Sequence, residues 1–396
     1  MNGAYSLRSI QGLEADEYKL FPRSRPAGFG PAWGFRDMTP GGSVPAFIAR
    51  RLARGSMHGY LDGSVLHVDV SGFTSMTERL MADGYRGAER ISSSLNAVFE
   101  TAVGAISESG GFVATFAGDS FTAVFPRMAL DACLRTAETV RELLSGLEPD
   151  PGFRPEYRFC LSQGEMEWGI TGAPGMRTYF FRGYPVFACS ALAERCSPGD
   201  LAVDRGESFH VSGDGCGEEE DEPPPRMGES FLPAAALASA RMGEFREVVS
   251  VFTGFEEDIS YGELDGLTRL LLEEAGGLGG YIPGIFFDEK GGNALTLFGA
   301  PMAYEHLEQR ALEYVRALRA PGLLGVRFGI CRGVVYAGRI GSRERFTYSV
   351  IGDPVNTAAK LLNHAIPGGA LVAYPDEYLP EAGAALSPAG SVDLAG

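Results

Sequence analysis

The chain has 396 residues, 45% of them hydrophobic and 21% charged, and a formal net charge of −17. That length supports two domains with their own cores, and the acidic balance excludes a general nucleic-acid binder, which needs a basic face. No apolar run approaches the roughly 18 residues that span a membrane.

Six cysteines (Cys133, Cys160, Cys189, Cys196, Cys216 and Cys331) include no Cys-x-x-Cys pair. They read as buried thiols of a reducing compartment. The N-terminus has no signal-peptide apolar stretch, and the expected location is the cytoplasm.

Residues 1–44 are rich in Gly, Pro and Arg, show no period, and read as an extended arm or partly disordered segment. Phe29, Trp33 and Phe35 could pack on the globular part. Residues 45–54 predict a short amphipathic helix with Pro45 at its start. Residues 65–70 are a β-branched apolar run, a buried strand with Asp69 at its end and Ser71-Gly72 as breaker. A helical pattern follows, interrupted near Asp83-Gly84. Its second part carries Ile91, Leu95, Val98, Phe99, Ala102, Val103 and Ile106 on one face and stops at Gly110-Gly111. Phe112–Ala117, the turn Gly118-Asp119 and residues 121–125 predict a hairpin.

One acid therefore ends a strand and another sits at a hairpin tip. If the strands are neighbours, the carboxylates converge. A pair of carboxylates suits a hard cation that also binds substrate phosphates. The turn Ser71-Gly72-Phe73-Thr74, at a helix start, offers backbone N–H groups to phosphate. Either aspartate alone is better explained as a turn or cap residue; the pair within these flanking sequences is not.

Further along come a helix over 128–147, a Pro-rich stretch at 149–155 and strands over 157–170. Residues 205–240 read as a linker. Its acidic run at 218–222 and Pro223-Pro224-Pro225 cannot build a core. A short helix is expected at 231–241. The pattern then repeats, with a strand at 247–252, a helix at 264–275 and hairpin strands at 285–287 and 294–298. Matching Gly254-Phe255 to Gly72-Phe73 puts Val251 where Asp69 stands. Gly292 falls where Asp119 stands, two residues after Lys290. The second repeat thus lacks both acids.

DVSGFT around Asp69, FAGD ending at Asp119, and the run from Tyr348 through Ser349, Val350, Ile351, Gly352, Asp353, Pro354, Val355 and Asn356 to Lys360 resemble the motifs of class III nucleotidyl cyclases. The resemblance covers roughly residues 45 to 380 and is nearest to soluble adenylyl cyclases with two catalytic domains in one chain. It implies an α+β fold of two ferredoxin-like domains, 45–204 and 244–396, with mixed, mostly antiparallel sheets, packed as an intramolecular pseudo-heterodimer around a 205–243 linker. It further implies that Asp69, Val70 and Asp119 hold two magnesium or manganese ions, and that Ser71, Gly72, Phe73, Thr74 and Arg177 meet phosphate. Lys290 and Ser349 would read the base and favour ATP over GTP, Asn356 would orient the ribose, and Lys360 would serve the transition state. In the first repeat, aligning Pro185 with Pro354 puts Phe187 at the Asn356 position and Ala191 at the Lys360 position. Each repeat keeps what the other lacks.

The implied reaction converts ATP to 3′,5′-cyclic AMP and pyrophosphate, with no nucleic-acid or membrane partner. Two departures stand out. The family usually has Arg where this chain has Lys360. Lysine keeps the charge but not the planar fork, and losing one well-placed donor can cost roughly 10²–10³ in rate, so a slower enzyme is expected. Bicarbonate-activated members have a lysine where Thr115 stands, so that control is not expected. A nucleotide sensor without turnover, a guanylyl cyclase and a pure scaffold are the other readings. The GG[DE]EF signature of diguanylate cyclases is absent. The C-terminus, LSPAGSVDLAG, reads as abrupt for this family, whose members often continue into regulatory domains.

Overall fold

Alternating and helical apolar patterns resolve into strands and helices much as expected. A computed structural model describes residues 6–10, 40–206, 230–239, 243–319, 325–374 and 386–388. The first half holds β1 (Ser6–Ile10), a 3-10 turn at Pro40–Ser43, α1 (Ala46–Ala53), β2 (His58–Ser71), α2 (Phe73–Met81), α3 (Tyr85–Glu108), β3 (Phe112–Ala117), β4 (Ser120–Pro126), α4 (Leu130–Ser145), β5 (Glu156–Ala173), β6 (Met176–Arg182), α5 (Tyr184–Ala193) and β7 (Leu201–Val203). The second holds α6 (Ala234–Ser239), β8 (Glu244–Phe255), α7 (Tyr261–Gly277), β9 (Gly280–Asp288), β10 (Gly291–Phe298), α8 (Leu307–Leu318), β11 (Arg327–Gly341), β12 (Phe346–Ile351), α9 (Asp353–His364), β13 (Ala370–Tyr374) and β14 (Leu386–Pro388).

Two sheets result. The first runs β3-β4-β2-β5-β6, with β7 parallel to β5. The second runs β14-β1-β13-β11-β8-β10-β9, with β12 paired to β11 and β13 parallel to β11. Strand for strand, β2 to β7 repeat as β8 to β13. The mixed, mostly antiparallel α+β architecture is as expected.

Two helices and one strand carry signals legible in the sequence. The stripe on α3 buries Ile91, Leu95, Val98 and Phe99 against Leu66, Val68 and Val70 of β2. α7 starts with a capping box, Ser260 and Glu263. Pro283 lies in β9, the outermost strand of its path, where a missing N–H is tolerated.

The two halves share their cores. Tyr336, Ile340 and Ile351 join the first cluster, and Phe180 joins the second. The strongest polar tie is Arg345, on the β11–β12 turn and 6% exposed. Its guanidinium donates to the carbonyls of Val113 (3.0 Å), Ala114 (3.0 Å), Ser43 (3.4 Å) and Phe346 (2.7 Å) and to the Tyr179 hydroxyl. Ala114 is the bulged residue of β3, skipped by the register between Val113 and Thr115. The bulge leaves its carbonyl outside the ladder, and Arg345 and Tyr179 satisfy it.

Three expectations change. Residues 1–44 are not only an arm, because Ser6–Ile10 forms β1, paired antiparallel to β13 and β14 of the second sheet. α8 was not foreseen. The position equivalent to Asp69 is Gly254, not Val251: Asp69 faces Arg158 across β2–β5, and Gly254 faces Arg327 across β8–β11. The glycine-phenylalanine match was three residues out of register. Phe29, Trp33, Phe35 and the acidic run at 218–222 lie outside the described residues. No described helix is long and apolar enough to cross a membrane.

Candidate active site between the two sheets

β2 and β4 are antiparallel neighbours, with Val68 opposite Phe121. The strand-end Asp69 and the hairpin Asp119 therefore reach one corner of the first sheet. Gly118, at φ +62, allows the tight turn. Burial, and then the negative charge of Asp69, push the Asp119 carboxyl up to about 7. The charge of Asp69 thus adds to burial in disfavouring the ionised form of Asp119.

A cavity of about 310 Å³ opens beside them, walled by His67, Thr115 and Asp119 from the first sheet and by Phe286, Ser349 and Asn356 from the second half. Ser349 comes from β12, and Asn356 from the first turns of α9, which starts with Pro354 in place. The Asn356 Nδ2 donates to Thr74 Oγ1 at 3.3 Å, joining α9 to the start of α2. Ser71 donates to the Glu156 carbonyl at 3.0 Å, and Gly72 adopts φ +104 where the chain turns into α2. The side chains of Val70 and Phe73 are in the core, so only their backbone groups are available to a ligand.

Of the expected residues, Asp119, Ser349 and Asn356 line this cavity; Asp69, Val70, Ser71, Gly72, Phe73 and Thr74 do not, and neither do Lys290, Lys360 and Arg177. Lys290 sits at the tip of the β9–β10 hairpin, which runs past its first-sheet counterpart: Asn293 faces Phe286 as Ser120 faces Ala117, and pairing continues to Gly291 and Asp288. The extra length carries its ammonium to Glu194, beyond α5, and to Glu289 at 3.7 Å. Glu194 holds the lysine above its usual pKa. Its placement in a base pocket, inferred by counting from the hairpin, is thus corrected by hairpin length. Lys360 is half-buried on α9, beside the cavity wall rather than on it. Arg177 faces Gly172 in the β5–β6 hairpin, and its Nε is buried without a hydrogen-bond partner among the described residues.

Other groups were missed. His67 lines the cavity and shares a hydrogen bond with Thr122 Oγ1 (3.0 Å); burial lowers its pKa, partly opposed by Asp69. The two-residue period of a strand could have found it, since it points to the same face as Asp69. Asp288 and Asn293 also line the cavity. Asn293 donates to Asp288 at 3.3 Å, and burial raises the Asp288 pKa. Arg158 pairs with Asp69 at 2.5 Å, a contact that only strand register reveals.

Among the described residues, no group of three or more His, Cys, Asp or Glu side chains is placed to hold a metal ion alone. The Asp69–Asp119 pair nonetheless fits a hard divalent cation, whose remaining oxygens would come from phosphates. A cation there would offset the burial and the Asp69 charge that together raise Asp119.

No protein-family model matches the chain. A 78-residue stretch is 44% identical to an uncharacterized protein of Mycobacterium tuberculosis, covering 18% of this chain and 14% of that protein. The likeness to solved structures is broader. A class III adenylyl cyclase-like ATP-binding protein from Pseudomonas aeruginosa superposes with a TM-score of 0.57 at 15% identity, covering 84% of this chain and 85% of its own. The guanylate cyclase domain of a Catenaria anguillulae protein in complex with GTP aligns over 37% of this chain and 79% of its own, at 16% identity and a TM-score of 0.32.

Proposed function

The chain has the class III nucleotidyl cyclase fold, and from that premise we propose that it binds ATP with divalent cations between its two sheets and converts it to 3′,5′-cyclic AMP and pyrophosphate. One observation carries the reading: Asp119 from the first sheet and Ser349 and Asn356 from the second half line the same cavity, and Asp69 lies near enough to Asp119 for its charge to act on that carboxyl. Neither half presents that set alone.

Asp69 and Asp119 are the residues that would hold magnesium or manganese, two ions by the family's pattern. The chemistry such ions supply when bound is neutralisation of the polyphosphate and acidification of the ribose 3′-hydroxyl. The start of α2 presents N–H groups to phosphate. Asn356, held by Thr74, orients the ribose so that its 3′ oxygen lies in line with the leaving pyrophosphate. Apolar Phe286 and Leu295 flank the base and Ser349 offers it a hydroxyl. Lys360, one turn beyond Asn356, is within a side chain's reach of charge developing on the phosphate. Catalysis is then mostly positioning and charge stabilisation.

A second reading, ATP binding without turnover, is favoured by the ion-paired Lys290 and by lysine at position 360. The P. aeruginosa protein, described as cyclase-like and ATP-binding, is consistent with it. Supplying the purified chain with ATP or GTP and Mg²⁺ or Mn²⁺, beside a Lys360→Arg variant, separates the two. Cyclic AMP from the unmodified chain supports the enzyme. ATP binding without product, restored by Lys360→Arg, supports the sensor. No nucleotide binding at all contradicts both.

A further inference from the structure

The carboxylate that a cation would need is already engaged. Arg158 Nη1 donates to Asp69 Oδ2 at 2.5 Å, with the side chains 26% and 30% exposed. Strand register places the arginine directly opposite the acid. Its Nε donates to the Cys196 carbonyl at 3.1 Å, so the guanidinium is held from two directions. The second sheet provides an internal control. Arg327 occupies the same register opposite Gly254, and with no acid across from it donates to the Lys290 carbonyl at 3.0 Å. The arginine is common to both halves; the acid belongs to one.

We propose that Arg158 is a positioning residue that sets the order of loading: it cancels the charge of Asp69, keeps the affinity for a free divalent cation low, and so makes the cation enter together with a nucleotide polyphosphate. This inference rests on the ATP-and-cation reading above and deepens it. Asp69 and Asp119 carry at most two negative charges, and Arg158 offsets one of them. A dication arriving alone meets a site of low net charge, with one carboxylate oxygen already taken. A dication arriving with a triphosphate brings its own oxygen ligands. Those phosphates also give the guanidinium a second partner of matching geometry. The site then exchanges one ion pair for two, and no bare cation occupies it between substrates.

The test is Mn²⁺ binding to the full chain by equilibrium dialysis, counted as metal in excess of a protein-free compartment that holds the same analogue. It is run with and without a non-cyclisable ATP analogue, on the unmodified chain, Arg158→Gln and Arg158→Lys. Without nucleotide, Arg158→Gln is expected to bind Mn²⁺ about tenfold more tightly than the unmodified chain, a step of about 1.4 kcal/mol. Arg158→Lys, which keeps the charge, stays at the unmodified level. With the analogue, the unmodified chain gains at least tenfold and the three forms converge. Equal affinity of the Gln variant and the unmodified chain without nucleotide overturns the inference. So does an unmodified chain that binds Mn²⁺ equally well with and without the analogue, a result that needs no variant to fold. If no form binds Mn²⁺ even with the analogue, while circular dichroism shows all of them folded, the ATP-and-cation reading itself falls and takes the inference with it.

Discussion

The two sheets are built on one plan and differ where chemistry would happen. At matching register, the first has Asp69 opposite Arg158 where the second has Gly254 opposite Arg327. The first has Asp119 at its hairpin, and the second has Gly292. In exchange, the second offers Ser349 and Asn356 where the first has Phe180 and Phe187. The second half has also closed over its losses. A side chain at Gly292 would start 2.0 Å from the Phe255 ring, and one at Gly254 would start 2.9 Å from Leu362. Phe180 is fully buried, and its ring lies 5.4 Å from that of Phe287, tilted by 51°. The degenerate corner is thus a packed interface, and the pair of sheets retains one corner able to receive a charged ligand.

The comparison breaks most sharply at the acids. Asp119→Asn or Asp69→Asn is expected to reduce cyclic AMP formation by at least ~10², measured as initial rate at saturating ATP and Mn²⁺. A rate within twofold of the unmodified chain would remove the acids from the chemistry. Next in size is the tie between halves. Arg345→Met removes the guanidinium donors to the Val113, Ser43 and Phe346 carbonyls and leaves Ala114 with Tyr179 alone, which should cost about 3 kcal/mol in chemical denaturation; an unchanged midpoint would mean these carbonyls are satisfied another way.

The converse substitution sharpens the contrast. Gly292→Asp pushes a charge into the Phe255 ring and should destabilise the chain by about 2–4 kcal/mol, without adding a second Mn²⁺ site in a binding titration. A stable variant with new Mn²⁺ binding would show that the degenerate corner is only missing its ligands.

Much of this was legible in the sequence. The apolar β-branched run before Asp69, the Gly118-Asp119 hairpin and the α3 stripe are legible there, because local pattern determines each of them. Placing Gly254 and Lys290 was not possible by counting. Residue offsets carry a strand match only while hairpins keep their length, and β9–β10 is longer than β3–β4. Arg158 and Arg345 act across strands and between halves, through contacts that no local spacing encodes. β1 was hidden because its partners lie near the other end of the chain.

Smaller effects follow from titration and from Lys290. The Asp119 pKa is raised from 3.8 to about 7. The folded state therefore takes up a proton that the unfolded chain has released across this interval. Its stabilising contribution is complete below about pH 4 and is lost as pH rises through about 7. Thermal unfolding without metal should show that decline, and Asp119→Asn should flatten it; a parallel slope in the variant would mean another group is responsible. Mn²⁺ competes with the same proton, so its affinity should fall as pH drops below about 7. The smallest effect belongs to Lys290→Ala. With a largely exposed partner, it should cost less than ~1 kcal/mol in stability and leave the ATP-to-GTP preference nearly unchanged; a large shift toward GTP would return the lysine to the base pocket.

On the proposed function, two unlike halves make one composite site. Calorimetric titration of the full chain with a non-cyclisable ATP analogue in Mn²⁺ tests it most directly. One nucleotide per chain is expected, with binding strongly weakened by either Asp119→Asn in the first half or Asn356→Ala in the second. Two nucleotides per chain, or a single one indifferent to both substitutions, would contradict it.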